Sequence, residues 1–222
     1  MKYILPSLFI LSMLASCASP RKYAEIAGRG YLKGDKTPVV HPDNIQVTYD
    51  GPDAKGPDVT VKKMRGSFVP ALFYWRVREK QVCTMKSRLP FMAFERQFYA
   101  TADSLKLDTG LHGGKLNVRV SSFPLKFAYS RRVDLIYGFV FYYMWSDQYM
   151  QLDSTAVNAT YEVAGGAKPY KGGRAAVPVA VAAYHNNHNT KKYSTLVFMK
   201  KYYSFSEDLG RQCALQIYDQ LK

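Results

Sequence analysis

The stretch LNVRVSSFPLKFAYS, residues 116–130, limits the fold more than any other part of the chain. Leu116, Val118 and Val120 put apolar side chains at even positions, whereas Phe123, Leu125, Phe127 and Tyr129 put them at odd ones. Successive side chains of a strand point to opposite faces, so one unbroken strand would turn half of this apolar set into water. A bulge or bend has to separate the halves, and Ser121, Ser122 and Pro124 mark its place.

Strand-like pieces recur on both sides of this point. Residues 45–49 and 59–64 read as short strands separated by the turn-rich DGPDAKGPD. Residues 67–77, SFVPALFYWRV, are apolar at odd and even positions alike, as a buried central strand would be, although Pro70 lacks the N–H a sheet ladder needs. Residues 133–164 read as two long strands turning at Ser146, Asp147 and Gln148. Tyr137, Phe139, Phe141, Tyr143 and Trp145 then share one face, a composition suited to a surface half apolar and half wet. Residues 164–192 have no clear period and read as a loop, after which 193–201 (YSTLVFMKK) reads as a strand.

Two segments carry helical spacing. Phe91, Phe94, Phe98, Ala102 and Leu105 recur at threes and fours, with Pro90 in the first turn and Gly110 placed to end the helix. Leu209, Cys213, Ile217 and Leu221 form a second stripe, with Ser206 as the expected N-cap and Glu207 and Asp208 in the first turn. The expected fold class is α+β: a mixed or mostly antiparallel sheet packed by two amphipathic helices. It forms a single domain over residues 45–222.

The N-terminus explains where such a domain works. After Lys2 no charge appears until Arg21, but only residues 8–15 are continuously apolar apart from Ser12, which suits a signal peptide and is too short for a span. The run closes on Leu14-Ala15-Ser16-Cys17, which closely resembles the lipobox of bacterial lipoproteins. By that resemblance residues 1–16 are a lipoprotein signal peptide, and Cys17 carries a diacylglyceryl thioether and an acylated amino group. Several acyl chains anchor firmly where a single one holds only marginally. Ala18, where the inner-membrane sorting signal has Asp, favours the outer membrane and its periplasmic face. Residues 17–44 beyond the lipid are rich in Gly, Pro and charge, and read as a flexible tether.

Charge narrows the partners. The formal net charge is +14 and the isoelectric point about 9.6. Residues 67–132 and 164–203 are the basic blocks, and residues 133–163 between them hold acids and no base. In the cytoplasm such a balance would suggest nucleic acid, which an exported lipoprotein does not routinely meet. Anionic lipid, lipopolysaccharide or an acidic envelope protein are the natural counterparts.

Motifs for chemistry are absent. The histidines match no nucleophile or zinc signature, and His185 with His188 would lack a third metal ligand. KGGR (171–174) and HGGK (112–115) pair glycines with bases but read as turns. Cys83 and Cys213 share no motif, and two buried free thiols suit them better than a bridge. No catalytic, cofactor or metal residue is expected, and the chain reads as non-enzymatic. The order of strands and helices over residues 59–222 resembles small periplasmic lipoproteins that assist envelope machines, such as auxiliary lipoproteins of lipid transporters and the lipoprotein of lipopolysaccharide assembly. The resemblance implies an accessory subunit of an envelope transport, assembly or secretion complex. Direct binding of an anionic lipid or glycan is the alternative.

Overall fold

A computed structural model describes residues 20–32, 42–53, 55–71, 73–138, 142–153, 155–165, 171–186 and 190–222. In chain order its elements are α1 (Pro20–Leu32), β1 (Ile45–Tyr49), β2 (Val59–Ala71), β3 (Tyr74–Met85), α2 (Arg88–Ser104), the single turn α3 (Leu107–Gly110), β4 (Lys115–Ser122), β5 (Lys126–Tyr137), β6 (Tyr142–Leu152), β7 (Val157–Ala164), β8 (Lys171–Val177), β9 (Tyr184–Asn186) and α4 (Lys191–Leu221). The class is α+β, mostly antiparallel, as expected. The strands divide into two sheets, where the sequence had suggested one.

The first sheet has the order β1-β4-β7-β8, with β1 and β4 parallel and the other pairs antiparallel. The second is antiparallel, in the order β2-β3-β5-β6-β9. The phase change at 116–130 is the joint between them: the register slips between Val120 and Ser122, β4 ends, and β5 begins in the other sheet. Leu116, Val118 and Val120 face one core, Phe127 and Tyr129 the other, while Phe123 and Leu125 at the bend complete the first.

The long helix α4 serves both cores. Its C-terminal half (Leu209, Cys213, Ala214, Ile217) packs with Phe94 and Phe98 of α2 under the first sheet. Its N-terminal half (Phe198, Met199, Tyr202) packs with Tyr23, Ala27 and Tyr31 of α1 under the second. Each fully buried phenylalanine contributes about 1.5–3 kcal/mol by leaving water. Between α2 and α4, Arg96 pairs with Glu207 and lies 5.4 Å from the Tyr203 ring centroid.

The local structure departs from expectation at several places. Residues 193–201 are helix and not strand: Thr190 is the N-cap, its Oγ1 accepting from the Tyr193 N–H at 3.3 Å. Ser206 is buried in the middle of that helix and donates to the Tyr202 carbonyl at 2.9 Å. The tether reading of 17–44 fails over 20–32, where Pro20 opens α1 and Tyr23, Ala27 and Tyr31 are buried one turn apart. Of the glycines that suggested a loop, Gly30 has a packing role, since a Cβ on it would stand 3.1 Å from the Met199 Cβ. Cys17, residues 18–19 and residues 33–41 lie outside the described residues.

The segment 67–77 is no buried central strand but the far end of β2 and the start of β3, with β2 at the sheet edge, where Pro70 costs least. No turn occurs at Ser146–Gln148: Ser146, Asp147 and Gln148 pair with Val133, Arg132 and Arg131 inside the sheet. The supposed loop 164–192 contributes β8 and β9. KGGR is therefore strand, and HGGK leads into β4.

Cys83 and Cys213 are free and buried, one in each core. Burial pushes both thiols up from 9.0 to about 12, and for Cys83 the nearby Lys191 charge opposes it only in part. Folded, both stay protonated at neutral pH, and a thiol reacts as its thiolate. Alkylation at pH 8 should therefore be slow in the native protein and rapid in denaturant, as mass spectrometry can read. Because the unfolded chain loses these protons above about pH 9 and the folded chain does not, stability should also fall as pH rises from 9 towards 12.

Candidate functional site

The strands of the second sheet outrun the helices that cover them. Lys191, the first residue of α4, reaches Glu79 at 3.3 Å and Gln81 at 3.2 Å, with its Nζ 4.5 Å from the ring centroids of both Tyr23 and Tyr129. Helical cover ends at this row. Beyond it β2, β3, β5 and β6 continue together, the end of β2 and the start of β3 pairing beside the end of β5 and the start of β6.

Cross-strand partners share a face, so the register assigns each side chain. On one face lie Tyr74, Ile136 and Tyr143 in one row, and Val69, Arg76, Asp134 and Trp145 in the next. On the other face, the one that carries the buried core further along the sheet, lie Trp75, Leu135 and Met144, then Val77, Val133 and Ser146. Val69, Phe73, Val77, Ile136, Tyr143, Met144 and Trp145 are between 43% and 56% exposed. Both faces of the sheet end are therefore uncovered apolar surface, which a chain working alone in water seldom presents.

One carboxylate sits within this surface and is fully engaged. Asp134 accepts from the Tyr74 hydroxyl, from Arg76 Nε at 2.6 Å and from Arg132 Nε at 2.5 Å. Partial burial alone would raise its pKa, but the bonds from Arg76, Tyr74 and Arg132 outweigh that and hold it at about 2. The network leaves a shallow groove of about 350 Å³ lined by Tyr74, Arg132, Asp134, Ile136, Tyr143 and Trp145, with Asp147 at its side.

No family model, curated protein or solved structure is significantly similar to this chain. The site has to be read from its own geometry.

Some residues singled out in the sequence meet here and others do not. Tyr143 and Trp145 do share a face, while the register pairs Tyr137 with Tyr142 and Tyr143 with Ile136. Phe139 and Phe141 lie outside the described residues, as does Cys17. The two basic blocks are brought together only in part: Arg76, Arg78, Arg131 and Arg132 of the first adjoin the exposed aromatics, and Lys191 of the second reaches Glu79 of β3 beside them, while Arg174 lies on β8 of the other sheet. His185 pairs opposite Tyr149 and stacks on its ring, and His188 is outside the described residues. Among the described residues no cluster of His, Cys, Asp or Glu is arranged to hold a metal ion. The Tyr74–Asp134–Arg132 network was missed in the sequence, where its members are 60 residues apart or fall in alternating charge with no motif.

Proposed function

We propose that this chain is a membrane-anchored, non-enzymatic accessory subunit of a cell-envelope transport, assembly or secretion complex, held through lipid on Cys17 to the periplasmic face of the outer membrane. The observation that carries the reading is the sheet end, where large apolar side chains of both faces stand exposed beyond the helices. Such a surface is suited to docking, and its aromatic and arginine content is that of binding surfaces. Among the described residues no helix is long and apolar enough to cross a membrane; the anchor in this reading is the lipid that the motif at residues 14–17 implies.

The groove at Tyr74, Tyr143 and Trp145 favours a second reading, direct binding of an anionic lipid or a glycan. Exposed rings stack on sugars, and an arginine such as Arg132 suits a phosphate or carboxylate.

The test is crosslinking in growing cells, comparing the native chain with Cys17→Ala. The native protein should label with palmitate and give a defined adduct with an envelope protein. Cys17→Ala should lose the label and, once released from the membrane, most of the adduct. A native chain that takes no acyl label refutes the anchor, and one that labels but yields no reproducible adduct refutes the accessory role.

A further inference from the structure

We propose that the exposed end of the five-stranded sheet is a membrane-contact surface that settles into the anionic head-group layer of the bilayer carrying the N-terminal lipid. This rests on the docking reading above and names what is docked.

Three observations carry it. The first is that both faces are apolar. A protein partner laid against a sheet covers one face and leaves the other wet, whereas a lipid interface surrounds whatever enters it. Here Tyr143 and Trp145 are bare on one face and Val77 and Met144 on the other, with Phe73 at the turn.

The second is the order of residue types along the strands. The outermost rows hold Tyr74, Trp75, Leu135, Ile136, Tyr143 and Met144. Tyrosine and tryptophan are the side chains that concentrate at membrane–water interfaces. Next comes the row of Arg76 and Asp134, its carboxylate already held by two arginines and a tyrosine hydroxyl. The following rows carry Arg78 and Arg132, then Arg131, then Lys80. From the Tyr74 row to the Val77 row is three residue steps, about 10 Å at roughly 3.4 Å each. That matches the depth of about 5–10 Å to which amphipathic surfaces enter the interface. The bases then stand level with the lipid phosphates, the complement their charge requires.

The third is the direction of α1. Tyr23 packs on Tyr129 and Lys191 beside the edge of the exposed region, whereas Gly28 faces Val59, towards the other end of β2. The helix therefore begins on the side of the exposed sheet end, and Pro20 is three residues after Cys17. The described chain thus begins on the side of the molecule where a lipid on Cys17 and the sheet end could meet one bilayer.

The contact is interfacial and does not span. Among the described residues β6 pairs on its outer side only at Gln148, Tyr149 and Met150, and β2 is an edge strand. Hydrocarbon would penalise the unpaired backbone groups of such edges, while the hydrated head-group layer satisfies them.

The chain has two tryptophans, Trp75 and Trp145, and both lie in this end, so intrinsic fluorescence reports the contact directly. The native lipidated protein is reconstituted in vesicles of phosphatidylethanolamine and phosphatidylglycerol containing phospholipid brominated at defined depths on the acyl chain. Emission should shift to the blue and lose most of its intensity, more with bromine near the head group than near the chain end. Replacing phosphatidylglycerol with phosphatidylcholine, or changing Arg78 and Arg131 to Gln, should reduce the quenching. Emission that stays unquenched while the protein floats with the vesicles overturns the proposal, and a sheet-end protein crosslink in cells would then leave docking intact with a protein as occupant. Quenching in a preparation without acyl label would uphold the sheet-end contact and refute only the anchor.

Discussion

Gly210→Ala should destabilise the protein by about 3 kcal/mol, the upper part of the range for overpacking a core. Gly210 is where α4 crosses α2. A Cβ there would stand 2.9 Å from the Phe94 carbonyl carbon and closer still to its oxygen. The obstacle is backbone inside a helix, so it cannot rotate away as a side-chain tip would. The helices would have to separate, loosening the packing of Phe94, Phe98, Leu209 and Cys213. For a chain of this length, with about 2–4 °C of melting temperature per kcal/mol, the loss is roughly 6–12 °C. Gly110→Ala makes the same chemical change where nothing lies within 4 Å, and should shift stability by no more than about 0.5 kcal/mol. Equal melting temperatures for the two variants would show that the crossing at Gly210 is not close.

Lys191→Ala should cost about 3–5 kcal/mol, as expected when one member of a buried ion pair is removed. Its side chain is 15% exposed and that of Glu79 10%. Without the ammonium, Glu79 keeps the bond from Gln81 Nε2 at 2.6 Å but has lost its countercharge, and the rings of Tyr23 and Tyr129 lose the cation between them. Replacing both Lys191 and Glu79 with Met should restore much of the loss, because paired apolar substitution of a buried ion pair is often neutral. Denaturant unfolding of the two single variants and the double variant measures the coupling. An additive double variant would mean that the pair is already screened by water. Since this pair joins the start of α4 to β3 where helical cover stops, Lys191→Ala should also raise proteolysis near residue 190 before global unfolding.

The α+β class, the helix carrying Phe94 and Phe98, the buried stripe Leu209-Cys213-Ile217 and the break at Ser121–Ser122 could all be read from spacing alone. In each, apolar residues repeat with a single period over several turns or pairs, and burial enforces that period. The first half of α4 hid its helix because Ser194, Thr195 and Ser206 occupy buried positions that the pattern expects to be apolar, and the run at 195–198 favours strand. Their hydroxyls are accommodated locally where the contact is described: Thr195 donates to the Lys191 carbonyl and Ser206 to that of Tyr202. α1 was hidden by Gly28 and Gly30, which signal a loop in isolation; at Gly30 the glycine is needed because Leu196 and Met199 of α4 pack close to it.

The candidate site was half legible for the same kind of reason. Composition alone placed tyrosine and tryptophan near 137–145 and arginines in the block before it, and the motif at residues 14–17 carries its expectation of a lipid wherever the chain folds. That those aromatics lie uncovered on two faces was decided by tertiary structure, because exposure depends on where α4 starts relative to β3, and no local pattern encodes the distance. The same holds for Asp134, whose low pKa comes from Tyr74 and Arg76 on the neighbouring strand as well as Arg132 on its own. Sequence sets which side chains alternate along a strand. Only the register between strands and the length of the covering helix decide which of them meet, and which are left for a partner.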